Sequence, residues 1–445
     1  MGISVCGLLC TSLFMLHLAA GDARPIRDDE PGLPKRPRKR ADPDVDVDVD
    51  ADDGEGGGGG GGGGGGSART HVGSKTAPKP RDGRKRKDGR DDLRYDRDRS
   101  NMGDTLLRKE LIFEPKSQSF RTVAMPSIIE LDRGEMLVSF MGGMSEGKAD
   151  TACYTARLYA DEDTWAPPKV AVAAKFGVPC WNPVLLKLPE GEVILFYKRG
   201  PSRESWSGFL RRSADGGDSW GREEPLPAGI VGPSKNKPLI LPEDQSLLCP
   251  TNVWSFEAAA SYVEKTPDFG RHWIRHGPIV AEEGGPLGGV DPSIYFTDDG
   301  TLVALMRPSD PGVEDGRVLR SSSGDGGVTW TPIEPTQLKT PNSGFDAVKL
   351  SDGRVVVTHN FKNMGTLRVV VSIDDGETWE AVHAVEDSLG GRGGRSVSVG
   401  GKNGAEGGSE HSNPAVIHTS DNMVHMVYVT DKKSVKHVVL DPEQF

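Results

Sequence analysis

The chain has 445 residues, of which 27% are charged, and its net charge is −11. Residues 104–445, the part with an ordinary globular composition, carry 35 Lys and Arg against 47 Asp and Glu. This acidic balance argues against general nucleic-acid binding, because phosphate backbones are held by basic surfaces.

The first predicted element is an apolar stretch over residues 2–20, which the small residues Gly21 and Ala23 follow. This pattern predicts a secretory signal peptide over residues 1–23 and a secreted protein. A retained membrane anchor is the alternative, because no basic residue precedes the stretch and His17 interrupts it. No later segment of the sequence is apolar enough to span a bilayer, so any membrane contact depends on this stretch.

Residues 24–103 form a low-complexity segment with basic clusters, an Asp-rich run and eleven consecutive glycines. Such a composition cannot bury enough apolar surface to offset the entropy of folding, so a disordered linker is predicted. The basic clusters could contact a polyanion or be cleaved after Arg40, but a solvated spacer is the simpler interpretation. Residues 104–445 form the predicted folded domain.

Three cysteines, Cys153, Cys180 and Cys249, lie within this domain. An odd number cannot pair completely, so at most one disulfide forms among them, and their spacing predicts no zinc site. Burial in strands as apolar side chains is a simpler expectation than a redox role. We predict no metal and no required cofactor.

Four copies of one pattern, S/T-x-D-x-G-x-x-W, occur within the domain, at residues 213–220, 266–273, 323–330 and 372–379. A degraded fifth copy ends at Trp165, and the five tryptophans follow one another at intervals of 55, 53, 57 and 49 residues. A regular period of this size predicts a repeat architecture. Within each copy the Asp can accept backbone hydrogen bonds and the Gly can adopt a positive φ, which predicts a structural turn rather than a catalytic group.

Short runs of β-branched and aromatic residues alternate with turns throughout the domain, as at 135–140, 193–197, 302–306 and 354–358. No amphipathic helix is evident, so the predicted class is all-β. Six blades of about 57 residues would account for the domain, which predicts a six-bladed β-propeller closed by strands at 424–439 and one near Leu111. The Gly- and Ser-rich stretch 387–409 is predicted to be a mobile insertion in the last blade.

The four copies resemble the Asp-box, or BNR, repeat of sialidase-like propellers, and residues 120–442 resemble a secreted subgroup of that family. The resemblance implies a propeller whose boxes lie away from its active face. It also implies a glycosidase that releases a terminal acidic sugar, sialic acid or a related 2-keto-3-deoxy acid, from a glycan or glycoconjugate. Sialidases grip the sugar carboxylate with three arginines, ionise a tyrosine nucleophile through a glutamate, and use an aspartate as acid and base.

The resemblance assigns two of the three arginines. Arg307 follows a predicted strand and matches the second arginine, and Arg368 precedes the last box and matches the third. Ala124 stands where the first arginine is expected, and Arg121 is the nearest substitute. The resemblance therefore implies a carboxylate clamp that lacks one regular member.

Five further residues are candidates for catalysis. The resemblance assigns Asp150 as the acid and base, with Glu146 on the same loop as its alternative, and Asp291 as the carboxylate beside the nucleophile. His411 stands where the tyrosine is expected, next to Glu410. These two could themselves act as acid or base, because histidine titrates near neutral pH and a carboxylate favours its charged form.

Polar, turn-forming segments recur about once per predicted blade, and loops at one face of a propeller converge on its channel. They supply the remaining candidates for substrate binding, which are Asn182, Lys235, Lys237, Asn342 and Asp346.

Three functions stay open from the sequence. The first is the sialidase-type glycosidase that the resemblance implies. The second is a glycan-binding propeller without catalysis, which the missing first arginine and missing tyrosine favour. The third is a polyuronate lyase or another glycosidase that uses Glu410 or His411 beside a carboxylate held by Lys235, Lys237 and the arginines.

Overall fold

The computed structural model describes residues 105–445, except 133, 256–257, 283–287, 310–315, 342 and 388–408. The predicted signal peptide and linker, most of the predicted insertion, and the candidate Asn342 lie outside the described residues. Among the described residues, no helix is long and apolar enough to cross a membrane.

The described residues form six antiparallel sheets of four strands each, which confirms the predicted all-β class and the six-bladed β-propeller. The first blade contains β2 (Thr122–Glu130), β3 (Met136–Gly143), β4 (Ala152–Leu158) and β5 (Lys169–Val172). The second contains β6 (Cys180–Lys187), β7 (Val193–Arg199), β8 (Ser207–Ser213) and β9 (Glu224–Pro225). The third contains β10 (Leu239–Ile240), β11 (Leu247–Trp254), β12 (Ala259–Thr266) and β13 (Ile274–Ile279).

The other three blades follow in the same order. The fourth contains β14 (Gly289–Phe296), β15 (Leu302–Pro308), β16 (Arg317–Ser323) and β17 (Glu334–Lys339). The fifth contains β18 (Asp346–Lys349), β19 (Val355–Asn360), β20 (Thr366–Ser372) and β21 (Glu380–Asp387). The sixth contains β22 (His411–His418), β23 (Val424–Thr430), β24 (Ser434–Leu440) and the N-terminal β1 (Leu106–Leu111). Short 3₁₀ turns occupy Pro115–Ser117, Arg203–Ser205 and Pro442–Gln444.

The sixth blade closes the ring as the sequence predicted. β1 pairs antiparallel with β24, and Glu110 lies opposite His437 in this register. The inner strand of this blade, β22, packs against β2 of the first blade. The ring is therefore completed by hydrogen bonds between the two ends of the domain.

The apolar core is divided among the boundaries between blades. At the boundary between the first two blades, Leu137 and Cys153 pack with Leu185 and Leu195. At the boundary between the last blade and the first, Phe140 packs with Val427. Because each sheet buries both of its faces against its neighbours, burial of apolar surface holds the blades in a ring.

Each box joins the third strand of a blade to the fourth, so the boxes lie together at one end of the propeller, which we name the box face. In the fourth blade, Asp325 accepts hydrogen bonds from the backbone of Val328 (3.0 Å) and Thr329 (2.9 Å). The Trp330 indole donates to Gly327, which has a φ of 86°. The box carboxylate is therefore used inside its own hairpin.

The opposite end, which we name the loop face, is where the inner strands begin and where the second strand of each blade turns into the third. Four inner strands carry a bulge there, at an X-Pro pair whose first residue has a positive φ. These residues are Met125 (φ 52°), Asn182 (43°), Asp291 (54°) and Asn413 (52°). Proline has no N–H to donate to the neighbouring strand, so the strand bulges there. The side chain of the preceding residue then no longer follows the alternation between the two faces of the sheet. This local feature places Asn182 and Asp291 at the mouth of the channel.

Candidate functional site

Lys235 crosses the central channel just below the loop face. Its ammonium donates to Asn236 Oδ1 (2.8 Å), to the carbonyl of Phe345 in the fifth blade (3.0 Å) and to that of Pro414 in the sixth (2.8 Å). The side chain is 3% exposed, and this burial lowers the pKa of Lys235 to about 8, although nearby Asp346 and Asp291 oppose the shift. All three donors of Lys235 are thus used within the protein.

Asp346 is a second point at which several blades meet. Its Oδ1 accepts from Ser293 (2.7 Å) of the fourth blade, and its Oδ2 accepts from Lys237 Nζ (2.9 Å) and the Val416 backbone (2.9 Å) of the sixth. The carboxylate is 1% exposed. The predicted binding residues Asp346 and Lys237 therefore hold each other beside the channel.

Asn182 is also engaged with the protein. Its side-chain amide donates to the carbonyl of Ser234 at 2.7 Å, and the residue is 4% exposed. Asn236, which the sequence did not single out, donates to the carbonyl of Asp291 at 2.9 Å. These contacts tie the segment before β10 to the second and fourth blades at the base of the loop face.

Asp291 and Arg307 form an ion pair at the loop face of the fourth blade. The Arg307 Nε donates to Asp291 Oδ2 at 2.8 Å, and each side chain is only about a tenth exposed. Burial alone would raise the pKa of Asp291, but Arg307, with help from Lys235 and Arg203, outweighs burial and lowers it. Asp291 is therefore an anion at neutral pH, fixed by a cation that matches the predicted second arginine.

Arg307 and Arg368 open onto the same boundary between the fourth and fifth blades. Along β15, Val303 and Leu305 pack toward the fifth blade, and Arg307 continues that face. Along β20, Val370 packs toward the fourth blade, and Arg368 lies on the same side two residues earlier. The structure thus brings the two predicted arginines to opposing walls of one boundary.

Two residues frame Arg368 within this boundary. Its guanidinium carbon lies 4.1 Å from the centre of the Phe361 ring, a cation–π contact. His359 lies opposite Arg368 in the neighbouring strand and is fully buried, and its Nδ1 lies 3.1 Å from the Lys339 carbonyl. Burial lowers the pKa of His359 to about 4, so its ring is neutral and adds no repulsion to Arg368 at pH 7.

The loop that carries Glu146 and Asp150 lies at the loop face of the first blade. Both side chains are exposed, and Asp150 Oδ2 accepts a hydrogen bond from the backbone of Met144 at 2.7 Å. The loop packs so closely on Trp181 that a Cβ added to Gly147 would lie 2.3 Å from the indole. Since the first and fourth blades face each other across a six-bladed ring, these carboxylates lie across the channel mouth from Arg307.

Arg121 lies on the same side of the mouth. It precedes β2, its side chain is exposed, and its backbone donates to Gly143 at 2.9 Å. Ala124 is 6% exposed and packs with Met141 and Trp181 instead of facing a ligand. Arg121 therefore belongs to the loop face but not to the boundary that holds the other two arginines.

His411 is the first residue of β22 at the loop face, and its side chain is enclosed in the boundary between the fifth and sixth blades. It is 3% exposed, its Nε2 is 3.9 Å from Glu386 Oε2, and burial lowers its pKa. Tyr428, whose ring centre is 5.7 Å away, is fully buried and donates to Glu386 Oε1 at 2.5 Å. Burial and Glu386 raise the pKa of Tyr428, so neither residue is an exposed nucleophile.

Glu410 is directed elsewhere. Its carboxylate lies 3.4 Å from Lys432 Nζ and is partly exposed, whereas the adjacent His411 is enclosed. The interpretation as a lyase or another glycosidase needs Glu410 or His411 to reach the substrate, and it stays a prediction. Among the described residues, no three His, Cys, Asp or Glu side chains are grouped so as to hold a metal ion.

The sequence model of the BNR repeat-like domain matches residues 134–426, which is well over half of the chain. The chain belongs to the BNR repeat-like family. No curated protein sequence matches it.

Solved structures of low sequence identity share the fold of this BNR-repeat protein. The NanB sialidase from Streptococcus pneumoniae is 12% identical, with a TM-score of 0.58 over 76% of this chain and 71% of that one. The Hadza microbial sialidase Hz136 is 14% identical, with a TM-score of 0.60 over 75% and 68%. A protein of unknown function from Dyadobacter fermentans is 16% identical, with a TM-score of 0.58 over 76% and 98%. At such identities the likeness shows the fold alone.

Two residues beside the predicted site residues of this BNR-repeat protein were missed from the sequence. Arg203 adds positive charge near Asp291, and its guanidinium carbon lies 5.3 Å from the centre of the Trp254 ring. Buried His359, opposite Arg368, is the other. Strand alternation could have found His359, because a residue paired with Arg368 must share its face, but nothing local connects Arg203 with Asp291.

Proposed function

We propose that this BNR-repeat protein binds a terminal acidic sugar at its loop face and hydrolyses the glycosidic bond, as a sialidase-type glycosidase. The observation that carries the proposal is the placement of Arg307 and Arg368 on opposing walls of one boundary. A carboxylate that enters there would meet two planar guanidinium groups, which suit it better than point charges do.

The charges around this boundary also suit the reaction. Asp291 stays ionised because Arg307 lowers its pKa, so it offers a fixed negative charge to an oxocarbenium-like transition state. Asp150, or Glu146 on the same loop, would protonate the leaving oxygen from the other side of the mouth. A water molecule would attack the sugar, because His411 and Tyr428 are enclosed.

A glycan-binding propeller without hydrolysis is the second candidate. The enclosed state of His411, at 3% exposure, favours it, because the position where sialidases are expected to carry their nucleophile does not reach solvent. Both candidates use Arg307 and Arg368, and they differ only in turnover.

The test is turnover of a fluorogenic α-ketosidic sialoside and of its 2-keto-3-deoxy analogues, with binding of the free acidic sugars measured in parallel. Arg307→Lys, which keeps the charge beside Asp291 but loses the planar fork, is compared with wild type. The control is Arg354→Ala, since Arg354 pairs with Asp352 in a turn at the box face. We expect Arg307→Lys to lower kcat/KM at least tenfold and Arg354→Ala to leave it unchanged.

The possible results separate the candidates. Turnover that falls in Arg307→Lys alone supports the glycosidase. Saturable binding that depends on Arg307, without turnover, supports the glycan-binding propeller. Absence of both binding and turnover in a folded wild-type protein would contradict the two proposals together.

A further inference from the structure

Two buried cysteines meet at the boundary between the first and second blades. Cys153 lies in β4 and Cys180 begins β6, and both have no exposed surface. They belong to one apolar cluster at this boundary. Cys249 lies in a different cluster, between the second and third blades.

Backbone contacts hold the two cysteine segments together. The Cys180 N–H donates to the carbonyl of Thr151 at 3.0 Å, two residues before Cys153. Cys153 lies opposite Val172 in the β4–β5 register, and the Val172 carbonyl is 3.9 Å from Cys180 Sγ. The fold therefore holds the main chains of the two cysteines side by side at this boundary.

Arg199 favours the reactive form of one thiol. Its Nη1 lies 3.2 Å from Cys180 Sγ, and Glu223 fixes the same guanidinium at 2.8 Å. The neighbouring Cys153 thiol, and then the charge of Arg199, lower the pKa of Cys180 despite its burial. Since the thiolate is the nucleophile in thiol–disulfide exchange, Cys180 is the attacking member of the pair.

We propose that Cys153 and Cys180 are an oxidation site that closes to a disulfide between the first and second blades. The oxidant is a low-molecular-weight disulfide such as glutathione disulfide. The Cys180 thiolate attacks it and displaces one thiolate. Cys153 then loses its proton, attacks the Cys180 sulfur of the mixed disulfide, and displaces the second. The cysteine pair gives up two electrons and two protons, and the oxidant becomes two thiols.

Such a cross-link would act on the loop face. Cys153 follows the loop that carries Glu146 and Asp150, and Cys180 precedes Trp181, on which that loop packs. A bond between them fixes the loop relative to the second blade. Because both thiols are enclosed, closure takes place while the chain folds or when this boundary opens, and the predicted secretion would expose the chain to suitable disulfides.

The experiment equilibrates the full chain in buffers of graded reduced and oxidised glutathione during refolding. Free thiols are then alkylated under denaturing conditions and the peptides are mapped without reduction. We expect a Cys153–Cys180 cross-linked peptide, with Cys249 alkylated. Cys249→Ala should keep the cross-link, Cys153→Ala should lose it, and Arg199→Lys should slow its formation.

A melting measurement gives a second reading. The oxidised wild type should melt a few degrees above the reduced protein, and the Cys153→Ala variant should show no such difference. The proposal would be overturned if both cysteines stayed alkylatable in the folded wild type at every glutathione ratio. It would also be overturned if either cysteine formed a disulfide with Cys249 as often as the two formed one with each other.

Discussion

Aspartates at the two ends of the propeller are held in different ways. At the box face, Asp325 is satisfied by Ser323 and Thr329 of its own hairpin. At the loop face, Asp346 accepts from the adjacent Ala347 backbone and from residues of three other blades, the nearest of which is 53 positions away in the chain. A local pattern can therefore specify this box hairpin, whereas most contacts of Asp346 exist only once the ring has closed.

Among the variants that test this comparison, the largest loss of stability is expected on substitution of Asp346. Asp346→Ala removes a buried acceptor from the Ser293 hydroxyl and the Val416 N–H, and it removes the anion beside Lys237, which keeps only the Ala347 carbonyl. It should therefore lower the free energy of unfolding by about 3–5 kcal/mol. Chemical denaturation measures this change. Asp352→Ala, in an exposed turn, is the control, and an equal loss in both variants would contradict the comparison.

The closing blade should give the protein a distinct dependence on pH. His425 Nδ1 lies 3.0 Å from His437 Nε2, and His437 Nδ1 lies 3.1 Å from Glu110. Burial, and then the charge of His437, lower the pKa of His425 to about 3, while Asp421 opposes and Arg108 adds to the shift. Between about pH 6.5 and 3, His425 is therefore protonated in the unfolded chain and neutral in the folded chain.

The contribution of neutral His425 to the free energy of unfolding is therefore fully present above about pH 6.5, and it decreases as the pH drops below that value. Between pH 6.5 and 5, the free energy of unfolding of His425→Gln should decrease by about 2 kcal/mol less than that of wild type. Denaturation curves of wild type and variant across that range measure the difference in slope, which is separate from any constant offset. Parallel curves for the two proteins would show that His425 does not titrate in this way.

Gly147 offers a smaller change that acts on the loop face alone. It has a φ of 70°, and an added Cβ would meet the Trp181 indole at 2.3 Å, so Gly147→Ala should cost about 1–2 kcal/mol and displace the loop of Asp150. Gly191→Ala is matched in backbone strain, with a φ of 93°, but has no described atom within 4 Å. Ligand binding or turnover should fall in the first variant only, and equal losses would refute a role for the loop.

The smallest effect is expected at a box. Asp325→Ala removes one side chain that caps a single hairpin, so it should cost about 1 kcal/mol and leave loop-face binding unchanged. Thermal melting and the binding measurement check both parts. A loss of binding as large as that of Arg307→Lys would show that the two ends are not independent.

Sequence patterns predicted the boxes, the blades and the closing strand because each depends on residues near one another or on a regular period. They also brought Arg307 and Arg368 forward, and the structure puts both at one boundary. They did not reveal that the charged groups of Lys235 and Asp346 bind residues of other blades, because those partners are distant in the chain. A pattern that was available and unused is the repeated X-Pro pair, which marks the bulges at Asn182 and Asp291.

The position of His411 shows why such bulges matter for prediction. A bulge between Ser412 and Ala415 breaks the strand alternation of β22, so the face on which His411 lies cannot be read from its apolar neighbours further along the strand. The register was needed to place His411 against Glu386.

The pairing of β1 with β24 has a consequence for how the protein is made. Glu110 leaves the ribosome more than 300 residues before its partner His437. β1 therefore stays unpaired until β24, the last strand of the sixth blade, has been synthesised. Contacts so distant in sequence are slow to form, because a long loop must close before they contribute. The degraded box of the first blade contacts β1 directly, because the Trp165 indole donates to Glu110 at 2.9 Å. The first blade can therefore hold β1 in place until β24 has been synthesised.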